Sequence, residues 1–331
     1  MEQQRIQSRA PRRASRSLPM LAALGMIAGL PASSPAQDQP ARTNQPAAAP
    51  AARTPIPTVP RDALPFTSES LTDLNPKLPT LFITGDSTAA RGGPAARGWG
   101  ALLVDYFDTN KVNLVNQGMG GARFNTYMQS RWDRVMAAVK PGDFVVIEFG
   151  HNNGPLPGIG EETQEVPDRG GGPATVMHTH GWYLRKFIAD VRAKGGIPIV
   201  STITVRNIWY KDKVERVKSL APRPTTEQLA SEEVPPSGGG MSDWSRQVAA
   251  QEKALLVDHT SIIADRYDQL GRNSVAKFFN GTEQLHPNTT GAIVNTEAFI
   301  AGLKAIPDML LVNCLNDTGK AIPAYKPIAA K

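Results

Sequence analysis

The sequence predicts an α/β fold, with a parallel five-stranded sheet lying between two layers of helices. Two observations point there. Five short apolar or β-branched runs, at residues 78–84, 111–116, 143–149, 197–203 and 254–258, alternate with segments whose apolar residues recur at helical spacing. The run at 143–149 is also almost uninterrupted in apolar character, as a strand covered on both faces must be. Strands separated by helices build βαβ units and a parallel sheet, and ligands bind beyond the carboxyl ends of such strands.

Taken in order, residues 99–107 carry the first helical pattern and residues 131–139 the second, which Pro141-Gly142 stops. Residues 180–194 form the longest, with Tyr183, Phe187, Ile188 and Val191 on one side and Gly195-Gly196 behind it. Residues 243–252 and 289–306 complete the set. Two stretches interrupt the alternation. Residues 154–173 are rich in Gly and Pro and acidic in the middle (Glu161, Glu162, Glu165, Asp168). They follow the third strand directly, so they are expected to wall a substrate site. Residues 222–240, rich in Pro, Ser and Gly, are expected to be a disordered insertion. There is no internal repeat.

The ends of the chain have a different character. Residues 1–36 combine Arg5, Arg9, Arg12, Arg13 and Arg16 with an apolar run at 18–30 and small residues at 31–36, the pattern of a secretory signal peptide. The run is short and broken by Gly and Pro, unlike a membrane span. With Glu2 as its only acid, this segment carries +4 of the chain's net charge of +6, so the basic balance gives no argument for a nucleic-acid partner. Residues 37–77, dominated by Ala, Pro, Gln and Thr, read as a disordered linker, residues 78–310 as the folded domain and residues 311–331 as a tail. Cys314 is the only cysteine, which excludes an intrachain disulfide and a cysteine-based metal cluster. Secretion after cleavage, to the periplasm or the medium, is the expected destination.

The chemistry-bearing residues cluster at strand ends. Gly85-Asp86-Ser87 follows the first strand, where Ser87 would open a helix whose unpaired N–H groups stabilise an oxyanion; taken alone, Asp86 or Ser87 reads equally well as a helix cap. The glycine run ending at Gly121 follows the second strand and lets a backbone N–H approach a ligand, or simply turns the chain. Glu148-Phe149-Gly150-His151-Asn152 follows the third. Asn152 offers a side-chain amide to an oxyanion, and His151 reads as a structural residue beneath the site. Glu283 stands three residues before His286, close enough to orient an imidazole. His178 and His180 have no third ligand at metal spacing and suit a loop or helix start. No phosphate-binding loop, dinucleotide fingerprint or Gly-x-Ser-x-Gly elbow occurs.

In this order, Gly85-Asp86-Ser87, Gly121, Gly150-x-Asn152 and carboxylate-x-x-His286 resemble the four blocks of the SGNH (GDSL) hydrolases. Over residues 79–306 the chain is similar to the rhamnogalacturonan acetylesterase-like branch. The shared segments include Arg97-Gly98-Trp99-Gly100, Arg131-Trp132-Asp133, residues 140–144, 158–163, 181–186 and 205–209, and Gly291-Ala292. The resemblance implies a flavodoxin-like three-layer α/β/α sandwich and a serine esterase that deacetylates pectic polysaccharide without metal or organic cofactor; separately, a monomer is expected. It also implies Ser87 as nucleophile and His286 as general base, with an oxyanion hole of the Ser87 and Gly121 N–H groups and the Asn152 side chain. Where the family usually has Asp, the triad acid here is Glu283, and Asn153 and Ala122-Arg123 also depart from its pattern. Two other readings stand beside this one: an esterase of another acetylated glycan or small ester, and a polysaccharide-binding protein without catalysis.

Overall fold

Strand β1 (Thr80–Gly85) is buried along its whole length and sits inside the sheet, with β2 (Asn113–Asn116) on one side and β3 (Phe144–Glu148) on the other. Strands β6 (Ile197–Ser201) and β9 (Leu255–Val257) extend the sheet beyond β3, giving the order β2-β1-β3-β6-β9 with every pair parallel. The computed structural model describes residues 66–152, 156–167, 172–216 and 240–327, all of which belong to the compact unit spanning residues 52–331. The expected signal segment and most of the 222–240 insertion lie outside the described residues.

Alternation along each strand explains the two helical layers, because successive side chains leave a sheet on opposite faces. Leu81, Ile83, Val146 and Ile199 enter one core, and Phe82, Val145, Ile147 and Val200 enter the other. The first core is covered by the 3-10 helix Trp99–Asp105, α5 (His259–Leu270) and α7 (Thr289–Ala305). The second is covered by α1 (Phe124–Tyr127), α2 (Asp133–Ala138), α3 (His180–Ala193) and α4 (Met241–Gln251). Trp132, the residue just before α2, stacks on Phe187 with centroids 3.9 Å apart and ties the start of α2 to α3. This is the expected three-layer α/β/α sandwich. Its strand order reverses between β1 and β3, the place where such sheets open a crevice for ligands.

Several local expectations change. The pattern at 99–107 is a 3-10 helix, and the one at 131–139 begins earlier, as α1 and a π-turn over Met128–Trp132. The stretch at 154–173 holds strand β4 (Thr163–Val166), which pairs antiparallel with β5 (Thr175–His178) to make a ribbon, and β7 (Trp209–Tyr210) pairs with β8 (Lys213–Val214) in a second, shorter one. Helix α5 is not marked by the sequence pattern; Asp258 starts it by accepting the N–H of Ser261, and the one-turn helix α6 (Arg272–Val275) follows it. The folded region also reaches past both boundaries at 78 and 310. The Thr67 N–H bonds the Ala101 carbonyl, and the Asn116 N–H bonds the Ser68 carbonyl, which lays residues 66–68 along the edge of β2. Leu311 and Leu315 are buried in the first core, and helix α8 (Asp317–Ala321) follows them. A few apolar anchors hold segments whose average composition is polar.

Candidate active site

Ser87 is delivered by the end of β1. A Cβ on Gly85 would lie 2.7 Å from the Glu148 carbonyl oxygen, so glycine lets β1 and β3 stay paired while the chain turns out of the sheet. The Asp86 carbonyl then accepts the N–H groups of Ala89 (3.2 Å) and Ala90 (3.1 Å). Ser87 therefore stands on an isolated turn and does not open a helix, because Gly92-Gly93-Pro94 cannot continue one. The next helical residues begin at Trp99.

His286 arrives on the loop before α7. The Arg97 N–H bonds the Pro287 carbonyl (2.8 Å), the Asn207 N–H bonds the Gln284 carbonyl (2.7 Å), and the Asn288 N–H bonds the Phe278 carbonyl (2.7 Å). Asn288 also caps α7, its side-chain oxygen accepting the Gly291 N–H. So held, His286 Nε2 lies 2.8 Å from Ser87 Oγ, from a position 199 residues further along the chain.

Glu283 divides its two oxygens. Oε1 accepts the N–H groups of Gln284 (2.8 Å), Leu285 (2.7 Å) and His286 (3.3 Å). Oε2 faces His286 Nδ1 at 3.5 Å, the long end of a hydrogen bond. Burial pushes the Glu283 carboxyl up, but the backbone N–H groups of Leu285, Gln284 and His286 and the imidazole outweigh it and hold the group below its ordinary value. A carboxylate there favours the tautomer with the proton on Nδ1, which leaves Nε2 as acceptor for the Ser87 hydroxyl.

Three strand ends are bonded into a closed triangle around this pair. The Met119 N–H bonds the Gly85 carbonyl (3.0 Å), joining the second strand end to the first. The His151 N–H bonds Asp86 Oδ2 (3.1 Å), joining the third to the first. Asn152 Nδ2 donates to the Ala122 carbonyl (3.0 Å), joining the third to the second. Gly121 stands in the turn that the Ala122 N–H closes on Met119, at φ +73°, where a side chain would be strained.

A cleft of about 390 Å³ opens over Ser87 and His286, with Arg91, Met119, Gly120 and Arg131 among its walls. Gly121, Asn152 and Glu283 do not line it. Arg91 pairs with Glu69 at 3.7 Å, both about half exposed. Arg131 Nη1 bonds the carbonyls of Gln117 (3.3 Å) and Gly118 (3.1 Å), which fixes its guanidinium at the cleft wall.

His151 is 7% exposed, with Nε2 3.0 Å from Thr204 Oγ1. His178 stacks on Trp182, and His180 begins α3 with Nε2 3.0 Å from Ser245 Oγ. Asn153 lies outside the described residues. Sequence reasoning passes over Asp86, Thr88, Trp99 and Glu148 as functional side chains, although all four are buried directly beneath the Ser87 turn. The available signal is a fully apolar strand ending in a carboxylate, Glu148, at the sheet edge where chemistry is expected.

Comparison with known proteins bears on the family and the fold. The profile of the GDSL-like lipase/acylhydrolase family matches residues 83–292, which include Ser87, Gly121, Asn152, Glu283 and His286. A rhamnogalacturonan acetylesterase of Emericella nidulans is 28% identical over 232 residues, 67% of this chain and 83% of that protein. A probable rhamnogalacturonan acetylesterase of Bacillus subtilis, YesY, is 26% identical over 129 residues, 38% of this chain and 54% of that protein. Among solved structures, the YXIM protein of Bacillus subtilis superposes with a TM-score of 0.51 at 19% identity, covering 69% of this chain and 56% of that one, and shares the fold. Among the described residues no helix is long and apolar enough to cross a membrane. The chain belongs to the GDSL-like lipase/acylhydrolase family and is a carboxylic ester hydrolase.

Proposed function

We propose that this enzyme is a secreted, monomeric serine esterase that removes acetyl groups from an acidic cell-wall polysaccharide, pectic rhamnogalacturonan. The observation that carries the proposal is the 2.8 Å contact between Ser87 Oγ and His286 Nε2, at the floor of an open cleft walled by Arg91 and Arg131. His286 takes the Ser87 proton as Oγ attacks the acetyl carbonyl. The Ser87 N–H and, from the two neighbouring strand ends behind the cleft lining, the Gly121 N–H and the second hydrogen of the Asn152 amide are assigned to the oxyanion of the tetrahedral intermediate. His286 then returns the proton to the departing sugar oxygen, and the acetyl group stays on Ser87. Water, deprotonated by His286, releases acetate and restores the serine.

Two arginines in the cleft lining, Arg91 beside Glu69 and Arg131, suit a polymer carrying carboxylates, since guanidinium and carboxylate meet in planar, paired hydrogen bonds. The names of the Emericella and Bacillus relatives support the same substrate. The Arg-rich, apolar start of the sequence supports secretion. The test is acetate release from acetylated rhamnogalacturonan and from neutral acetylated xylan, by the wild type and by Ser87→Ala. Release from the acidic polymer in preference to xylan, lost in Ser87→Ala, is the expected result. Preference for xylan removes the proposed substrate, and an active Ser87→Ala variant removes the mechanism.

A further inference from the structure

Two carboxylates are sealed beneath the nucleophile turn. Asp86, Glu148 and His259 all have no solvent exposure. Thr88 Oγ1 lies between the two acids, 2.9 Å from Asp86 Oδ1 and 3.1 Å from Glu148 Oε1. A hydroxyl has one proton, so it can donate to only one of them. Asp86 is surrounded by donors: the Thr88 N–H at 3.0 Å on Oδ1 and the His151 N–H at 3.1 Å on Oδ2. That is the environment of an ionised acid, and the Thr88 proton belongs there.

Glu148 is placed differently. Its Oε2 accepts the Trp99 indole N–H at 2.5 Å. Its Oε1 faces a Thr88 oxygen whose proton is already directed at Asp86. The remaining polar neighbour is His259. His259 Nε2 lies 2.8 Å from the Asn295 carbonyl, which can only accept, so Nε2 carries a hydrogen. Its Nδ1 is 3.8 Å from Glu148 Oε2, too far for a hydrogen bond, and among the described residues no partner accounts for a proton there. A second negative charge, separated from Asp86 by one hydroxyl in a dry interior, would have no compensating cation in contact among those residues.

We propose that Glu148 is a neutral carboxylic acid that donates its proton from Oε1 to Thr88 Oγ1, and that the relay Glu148–Thr88–Asp86–His151 positions the Ser87 turn against the Asn152 strand end. Asp86 precedes the nucleophile and His151 precedes the oxyanion donor, so the relay sets the distance between the two groups that must act together. Burial pushes the Glu148 carboxyl up, further than the nearby His259 imidazole and the Trp99 indole pull it down, in the direction the relay requires. Glu148 is a positioning residue, since Thr88 and Asp86 stand between it and Ser87. The catalytic half of the inference rests on the esterase reading above. The protonation half does not.

The experiment has two parts. Infrared difference spectroscopy of the wild type against Glu148→Gln at neutral pH reads the C=O stretch of a protonated, buried carboxylic acid. The band is expected in the wild type and absent in the variant. A carboxylate band lost in its place overturns the proposal, whatever ester the enzyme cleaves. In parallel, kcat and KM on 4-nitrophenyl acetate are measured for Glu148→Ala and Glu148→Gln. Glu148→Ala is expected to lower kcat roughly tenfold to a hundredfold with KM within about twofold, as a small misplacement of reacting groups does. Glu148→Gln is expected to recover most of that loss, because its amide donates to Thr88 while its carbonyl accepts from Trp99. Equal damage in the two variants, both folded, would show that the charge and not the hydrogen atom matters, and would overturn the relay. A wild type without esterase activity overturns the functional reading and leaves the infrared result standing.

Discussion

Under the proposed mechanism, Glu283→Gln isolates how much of the power of His286 as base comes from Glu283. The glutamine carbonyl can keep the three backbone N–H bonds made by Oε1, so the loop carrying His286 stays folded. What disappears is the charge facing His286 Nδ1 at 3.5 Å. Two unit charges at that separation attract by about 1 kcal/mol in water and about 5 kcal/mol at an effective dielectric of 20. The side chains are 39% and 31% exposed, so solvent screening places the charge near the low end, at about 1–2 kcal/mol. That corresponds to roughly a five- to thirtyfold fall in kcat. The assay is saturating hydrolysis of 4-nitrophenyl acetate by the wild type, Glu283→Gln and Glu283→Ala, with Tm recorded for each. Glu283→Ala should also lower Tm, because it strips the acceptor from three N–H groups. A loss near ~10⁴, as when a triad acid is replaced by its amide, would show instead that the new NH2 donates to Nδ1 and holds His286 in the wrong tautomer. A loss under about twofold would mean that another group orients His286.

Two other substitutions follow from the same geometry. Asn152→Ala removes the side-chain donor assigned to the oxyanion and is expected to lower kcat about a hundredfold, near 3 kcal/mol, with KM nearly unchanged; a rise in KM alone would instead assign Asn152 to substrate binding. His180 carries the pH signature of the fold: burial holds its imidazole down at about 3, from an ordinary 6.5. The folded state thus stays neutral where the unfolded chain takes up a proton. Stability is unaffected by this group above pH 6.5 and falls by on the order of 1 kcal/mol per pH unit as pH drops from 6.5 toward 3. His180→Asn should flatten the Tm-against-pH curve in that window, and an unchanged slope would assign the acid sensitivity elsewhere.

Much of the site is legible in the order of residues along the chain. Ser87, Gly121 and Asn152 each follow an apolar run that marks a strand end, and a parallel sheet gathers strand ends on one edge; His286 comes instead from the loop before α7. The five sheet strands are legible for the same reason, since runs such as 143–149 have no other stable use. Helix α5 is not, because Asp258 and His259 look like the tail of a strand, and the Ile262, Ile263 and Tyr267 stripe is short. The ribbon β4–β5 hides within a Gly- and Pro-rich stretch whose first strand is wholly exposed and so shows no buried stripe. Residues 66–77 and 311–327 resemble a linker and a tail because their attachment depends on a few anchors, Thr67, Leu311 and Leu315, and average composition does not register single residues.

Periodicity and order along the chain decided the class of fold, the layer each strand residue faces and which residues stand as candidates for the site, because these follow from local side-chain direction and from which residues lie at the ends of strands and loops. Tertiary structure alone decided that Ser87 rides an isolated turn, that Asp86, His151, Asn152, Ala122, Met119 and Gly85 bond three strand ends together, and that Glu148 meets Asp86 across one hydroxyl. Those bonds join residues as far as 65 positions apart. Whether such residues meet depends on the crossovers that set strand order and register, and no local pattern of amino acids encodes that distance.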